Sequence, residues 1–432
     1  LPIEVIDKFL VPVLGSVLIP GLLAFWVAKR RDLRLSNLIP LFLILPFGSY
    51  VVTTPQALAN IFVIALIAGS LSGAYHWPGM VLLALAAFTI HPLAGIPAGI
   101  FLVLLYASRL RSSSVVWQRL IKLGLVLIGS ISLPLIFILT KTSTLKTSSA
   151  KLAEIFSWLI PQWPKMFSWT YDIVYFWNAN IYFLVLILSA VGIYLTARRG
   201  RWPELSPYFW TFFVLLVNYF LLNAFIDYSF LIDYERQNYP QRIFEISFYF
   251  LVPFLFIAWP AIFGGSGRFR RTVGYCFLSG LILNSLYFSY PRQNKFETSH
   301  SINTSASDLR AVNSIEHQVA GQDYIVLANQ SVSAAALKEL GFKKYFETVG
   351  GAVFFYPIPT GGPLYKYYLS MVYEKPVGET MRQAATLAGV KEAYFVINTY
   401  WTSSERIIET SKAEADKWWA VDGSVFVFEY IF

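Results

Sequence analysis

The chain has 432 residues, of which 56% are hydrophobic and 17% aromatic, while only 14% carry charge. Soluble domains carry about 25% charged residues, so this chain lacks the polar surface a soluble protein of its size needs. Its net charge of +9 lies in short loops between apolar runs, which points to membrane orientation and away from nucleic acid. One cysteine, Cys276, excludes an intrachain disulfide and a cysteine zinc site.

Apolar runs near the length a bilayer demands, about 17 to 25 residues, recur through the first two thirds of the chain. Residues 9–28 form the first, followed at once by Lys29, Arg30, Arg31 and Arg34. Residues 38–52 and 57–74 follow. Residues 81–90 and 93–105 are short and joined by His91-Pro92, either as two thin spans or as a re-entrant pair. Both readings return the chain to the side marked by Arg109, Arg111, Arg119 and Lys122. Residues 120–139 then cross to a long loop, 140–178, and 181–196 cross back to Arg198, Arg199 and Arg201. Residues 209–226 lead out to a charged turn, 227–242, and 243–259 return to Arg268, Arg270 and Arg271. Residues 272–288 cross once more.

The expected fold is therefore an all-α membrane bundle of about ten transmembrane helices over residues 1–290. A linker, 291–300, and a small extracytoplasmic α/β domain, 301–432, complete it. The basic loops all fall on one face, which the positive-inside rule makes cytoplasmic. The amino terminus, loop 140–178, turn 227–242 and the tail then share the outer face of the cell membrane. The chain begins at Leu1 without methionine, and residues 1–8 lack the basic and apolar regions of a signal peptide. An upstream piece carrying one further span is expected.

Turn 227–242 packs three acids, Asp227, Asp233 and Glu235, with Arg236, Arg242 and three tyrosines, Tyr228, Tyr234 and Tyr239, between two apolar runs. Charges so close to hydrocarbon are costly unless paired or wet, which makes the turn a candidate site. The acids suit a divalent ion or a general base, and the arginines suit a diphosphate. The plainer reading is a salt-bridged loop anchored by interfacial tyrosines. Glu245 belongs to the same pocket or its rim. His91 is a candidate phosphate contact or proton carrier, against the plainer role of a helix cap. Glu4 and Asp7 are the acids that precede the first span. Loop 140–178 carries Trp158, Trp163, Trp169 and Trp177 with Phe156 and Phe167, broken by Pro161 and Pro164. It reads either as an aromatic belt or as a segment lying on the membrane beside a lipid groove.

In the tail, strands are expected at 323–328, 352–356, 393–398 and 424–430, alternating with helices at 333–340, 363–373, 379–387 and 403–419. That alternation favours a largely parallel sheet. Residues 357–363 form a rigid proline loop without the lysine of a phosphate motif. Asn303 and Asn329 begin glycosylation triplets. The chain has no HExxH, GxSxG or Walker loop.

Several weak patches carry a resemblance: Pro20, the run Thr53-Thr54-Pro55-Gln56-Ala57-Leu58-Ala59, and His91-Pro92-Leu93-Ala94-Gly95. With the layout, the tryptophan loop and the α/β tail, the chain resembles GT-C-type membrane glycosyltransferases, the class of oligosaccharyltransferases and protein O-mannosyltransferases. The resemblance implies transfer of a sugar from a polyprenyl-phosphate-linked donor at the outer face, sometimes with Mg or Mn. It places the catalytic acid in a first outer loop, upstream of Leu1. It implies Arg236 or Arg242 on the carrier phosphate and Asp233 or Glu235 near the acceptor or metal, with Tyr239 and His91 beside the substrate. Two other classes compete: a lipid or solute transporter, and a non-catalytic envelope protein whose tail binds a partner. A transporter calls for polar or charged residues in mid-span, yet apart from Asn218, Asn223 and Asn284 the span interiors are nearly free of them.

Overall fold

The computed structural model describes residues 3–28, 38–39, 41, 54–73, 76–110, 115–139, 156–165, 168–228, 238–264, 267–289, 304–319, 321–342, 344–348, 350–358 and 362–432. The chain divides into two compact units, Leu1–Tyr290 and Pro291–Phe432.

The first unit is helical. In chain order its helices are α1 (Ile3–Ala28), α2 (Pro55–Ser72), α3 (Trp77–Ile90), α4 (Pro92–Arg109), α5 (Val115–Leu139), α6 (Trp169–Ala179), α7 (Ile181–Arg198), α8 (Trp202–Phe225), α9 (Asn238–Tyr249), α10 (Val252–Phe263) and α11 (Arg268–Ser289). Among the described residues six of them, α1, α2, α4, α5, α7 and α8, are long and apolar enough to cross a membrane. The bent pair α9–α10 makes a seventh if it counts as one span. The chain is thus an integral membrane protein. Ten crossings were expected. Residues 38–52 lie largely outside the described residues, α3 has 14 residues, and α11, burdened by three arginines at its start, is not among the six.

Local chemistry sets these boundaries. Thr54 caps α2 by accepting from Ala57 N–H (3.1 Å), Pro55 opens the helix, and Gly73 at φ +61° ends it in the left-handed region. Residues 243–259, expected as one span, are two helices meeting at 49°. Pro253 has no N–H to offer the carbonyl of Tyr249. The chain turns there through shorter-range bonds, Phe250 N–H to Ser247 O (3.1 Å) and Leu251 N–H to Phe248 O (3.0 Å).

Helices α1 to α4 pack in succession, α8 packs on α4, α5 and α9, and α7 on α10. Phe101 of α4 lies against Tyr208 of α8 (5.0 Å) and against Phe250 at the α9–α10 break (5.2 Å), and the Tyr208 hydroxyl bonds Ser70 of α2 (2.6 Å). A Cβ at Gly192 of α7 would strike the carbonyl of Phe254 on α10, the small-residue contact that lets helices approach in lipid. Away from these contacts apolar side chains face outward, as Leu127 and Ile128 of α5 do.

The mid-span asparagines hold helices together. Asn218, fully buried on α8, accepts from Leu133 N–H (3.1 Å) and donates to Gly129 O (2.8 Å), both on α5. Those two positions lie just before Pro134, whose missing N–H breaks the α5 ladder. A neighbouring helix thus bonds backbone groups beside the break, the arrangement that makes proline tolerable inside a membrane. Asn284 of α11 donates to Val174 O of α6 (2.7 Å), and Asn223 donates within its own helix to Tyr219 O (3.0 Å).

The second unit contains α12 (Ala306–Val319), β1 (Tyr324–Leu327), α13 (Gln330–Leu340), β2 (Tyr345–Thr348), β3 (Gly351–Phe354), α14 (Pro363–Leu369), α15 (Gly378–Ala388), β4 (Glu392–Asn398), α16 (Ser404–Glu414), β5 (Lys417–Val421) and β6 (Val425–Ile431). Four strands form one sheet in the order β1-β4-β6-β5, and β2-β3 form a separate hairpin. The expected largely parallel sheet is corrected: β1–β4 is parallel, whereas β4–β6 and β6–β5 are antiparallel. The cause is that no helix separates β5 from β6, which turn back through Asp422 (φ +51°) and Gly423 (φ +65°). The expected helix 403–419 likewise ends at Glu414, because Trp418 and Trp419 pair with Phe428 and Val427 of β6. The core joins Tyr324 and Val326 of β1 to Tyr394 and Val396 of β4, Val427 of β6 and Ile315 of α12.

Candidate functional site

His91 alone separates α3 from α4. Its extended backbone (φ −154°, ψ 109°) ends one helix, with its N–H on Ala87 O (2.9 Å). Its carbonyl starts the next by accepting from Ala94 and Gly95 N–H (both 3.0 Å), and Pro92 supplies the first helical position. The two helices touch at this tip, where a Cβ on Gly95 would collide with the backbone of Phe88. The turn therefore fixes the imidazole in place. His91 Nδ1 is buried and has no hydrogen-bond partner among the described residues.

Helix α9 packs on α4 and brings Arg242 within electrostatic reach of His91. Burial first, and the Arg242 charge second, hold the imidazole below its ordinary range, so it is neutral near pH 7. The Arg242 guanidinium lies 5.7 Å from the ring of Tyr239, one turn earlier on α9. Tyr239 in turn packs on Tyr228 (6.1 Å) and Phe137 of α5 (6.3 Å). A cation, a neutral imidazole with an unpartnered nitrogen, and an aromatic floor thus converge at one end of the bundle. This arrangement can bind an anionic oxygen and offer a second polar contact beside it.

Of the residues expected in the site, Arg242 lies over the Tyr239 ring at 5.7 Å, and His91 is within electrostatic reach of Arg242. Asp233, Glu235 and Arg236 lie outside the described residues. The divalent ion expected with them has no seat in the described part, where no three His, Cys, Asp or Glu side chains gather. Phe137 was missed because its place beside Tyr239 depends on helix packing, which no local pattern records.

The other face of α9 holds the tryptophan loop. Trp158, in a short 3₁₀ turn (Ser157–Leu159), packs on Phe244 (5.0 Å) and Phe248 (6.2 Å). Asn180, between α6 and α7, binds both backbone groups of Gln162, accepting its N–H (2.9 Å) and donating to its carbonyl (2.7 Å). Glu245 lies within electrostatic reach of Tyr182, which packs on the same two phenylalanines. The described part of the loop is thus pinned to the bundle at Trp158 and Gln162. On the described residues of the basic loops, Arg199 and Arg201 line a cavity of about 210 Å³ with Trp26 and Pro260.

The second unit has a separate polar centre at the carboxyl ends of β1 and β4. Asp308, fully buried on α12, accepts from Ser305 N–H (2.7 Å) and Asn398 Nδ2 (2.7 Å). Asn329 donates to Asn398 Oδ1 and to the Tyr400 hydroxyl (both 2.8 Å) and caps α13 by accepting from Val332 N–H (3.0 Å). Burial pushes the Tyr400 phenol up to about 12. Both donors of the Asn329 amide and one lone pair of its oxygen are used inside the protein, so this buried side chain serves as a structural lock. Asn303 lies outside the described residues. No protein-family model, curated protein or solved structure matches the chain.

Proposed function

We propose that the chain is a membrane glycosyltransferase that moves a sugar from a polyprenyl-phosphate-linked donor to an acceptor at the extracytoplasmic face, with the second unit on that same side. The observation that carries this reading is the meeting of His91 and Arg242 over the aromatic floor. Such a transfer breaks the bond between the sugar's anomeric carbon and the carrier phosphate; the acceptor's nucleophilic atom takes the phosphate's place on that carbon and gives up its proton to a base. Negative charge then grows on the departing phosphate. Arg242 is placed to pair with it, and the unpartnered His91 nitrogen to bond the phosphate or a sugar hydroxyl. Asp233, Glu235 and Arg236 are proposed as further substrate contacts.

Arg242→Gln tests the reading through consumption of lipid-linked sugar. Removing one donor aimed at developing charge costs about 10²–10³ in rate. Turnover within a factor of two of the parent would remove Arg242 from the site. A transporter is the second reading, favoured by the 49° break between α9 and α10 beside the site, since transporters place broken helices at their binding sites. Uptake of a labelled lipid or solute into proteoliposomes, without sugar transfer, separates the two.

A further inference from the structure

Helices α3 and α4 are in contact at their His91 tip but leave room between them farther down. Where Gly95 meets the Phe88 backbone there is no space, yet a Cβ added at Gly99, one turn on, would meet nothing within 4 Å. The space is a groove of about 390 Å³, running from Phe88 and Gly95 to Trp77 and Tyr106, with almost wholly apolar walls. That volume lies in the range of small-ligand sites, about 300–1,000 Å³. Trp77 and Tyr106 pair across the open end at 5.3 Å. Tyr106 is 53% exposed and Phe88, at the closed end, 48%. The groove therefore opens sideways, toward whatever surrounds the bundle.

Three features say what fills it. Gly95 to Tyr106 spans eleven positions of α4, roughly 16 Å at about 1.5 Å per residue. One leaflet of a hydrocarbon core about 30 Å thick has the same depth. The open end carries the tryptophan and tyrosine typical of headgroup level. One turn beyond Tyr106, on the same helical face, stands Arg109, exposed and without an acidic partner among the described residues. The tip end is closed by backbone contact, so a polar head has to sit at the Arg109 end. We propose that the α3–α4 groove binds an anionic bilayer phospholipid, with one acyl chain between the helices and the phosphate beside Arg109. This site lies at the end of the hairpin opposite His91, and it stands whether or not the chain transfers sugar.

The test uses the full chain, purified in mild detergent from membranes and then passed through nanodiscs containing phosphatidylglycerol and phosphatidylcholine. Mass spectrometry counts the lipid that survives re-extraction. The parent retains phosphatidylglycerol in excess over its share of the disc. Gly99→Leu, which extends a side chain into the groove from a position where a Cβ meets nothing within 4 Å, lowers retention about tenfold or more. Arg109→Gln, an exposed change that leaves the core alone, lowers the preference for phosphatidylglycerol about fivefold, the contribution of one basic residue at an anionic surface. Equal retention by both variants and the parent overturns the proposal, as does retention of the two lipids in disc proportion. So does a polyprenyl phosphate recovered in place of phospholipid. A change of oligomeric state in Gly99→Leu without lipid loss also overturns it, because a second copy then covers the groove.

Discussion

Asn218→Leu separates a structural polar residue from a transport one. The Asn218 amide makes two bonds to α5 and one within its own helix, to Val214 O (2.8 Å). Leucine has nearly the same volume, so no large cavity opens and the loss is chiefly that of the two interhelical bonds. Such bonds in membranes average about 0.6 kcal/mol and reach about 1.7, giving a total of about 1–3 kcal/mol. Asn223→Leu is the control, because its bond to Tyr219 O stays within α8 and the side chain is half-buried. Unfolding by titration with sodium dodecyl sulfate in mixed micelles reads the difference. Asn218→Leu shifts the folding equilibrium about tenfold for each 1.4 kcal/mol lost. If Asn218→Leu is no more destabilising than Asn223→Leu, the clamp on α5 just before Pro134 is not a stabilising contact and the argument fails.

Asp308→Ala removes a capping bond worth about 1 kcal/mol and leaves the Asn398 amide buried without its acceptor, a further cost of about 1–3 kcal/mol. With a urea slope of about 1–3 kcal/mol per molar, the transition of the second unit falls by roughly 1 M or more, followed by hydrogen exchange of β4 amides. Gly192→Val places a branched side chain against the Phe254 carbonyl and costs about 1–3 kcal/mol by overpacking, seen in the same detergent titration as Asn218→Leu. The His91 imidazole is held below its ordinary value of 6.5. Its neutral form therefore adds stability that is complete above about pH 6.5 and is lost as pH falls through the folded value. Arg242→Gln removes one of the two causes, so His91 titrates at higher pH, measured by the pH profile of imidazole acylation; an unmoved profile refutes their proximity.

The membrane unit was legible because a bilayer imposes length and apolarity on each span, and both are local properties of the sequence. The α9–α10 break was present in Pro253 but was hidden by the uniform apolarity of residues 243–259. In the second unit β5 was misread because Ile407, Ile408 and Ser411 carry a helical period that ends where Trp418 and Trp419 begin to alternate. Helix α12 was missed although its signals are plain. Ser305 and Asp308 form a capping box, with Ser305 Oγ accepting from Asp308 N–H (3.1 Å). Ala311, Val312, Ile315 and Val319 then follow at helical spacing and are buried. The meeting of His91 with Arg242 was not legible, because the two stand far apart in sequence and meet only through the packing of α4 on α9.

Buried polar atoms give the sharpest distinction between scaffold and site. A folded chain normally satisfies them, and Asn218, Asn180, Asn329 and Asp308 are each bonded on every side that matters. These residues explain themselves by the elements they join. His91 Nδ1 differs, and it shares that state with Trp158 Nε1, Ser189 Oγ and Ser333 Oγ among the described residues. Trp158 is held by ring packing, and the two serines lie in the interiors of α7 and α13. His91 instead sits at a helix junction within electrostatic reach of Arg242. An unsatisfied nitrogen costs about 1–3 kcal/mol, which a water or a bound ligand at this junction would recover, and the proposed anionic substrate is one such partner.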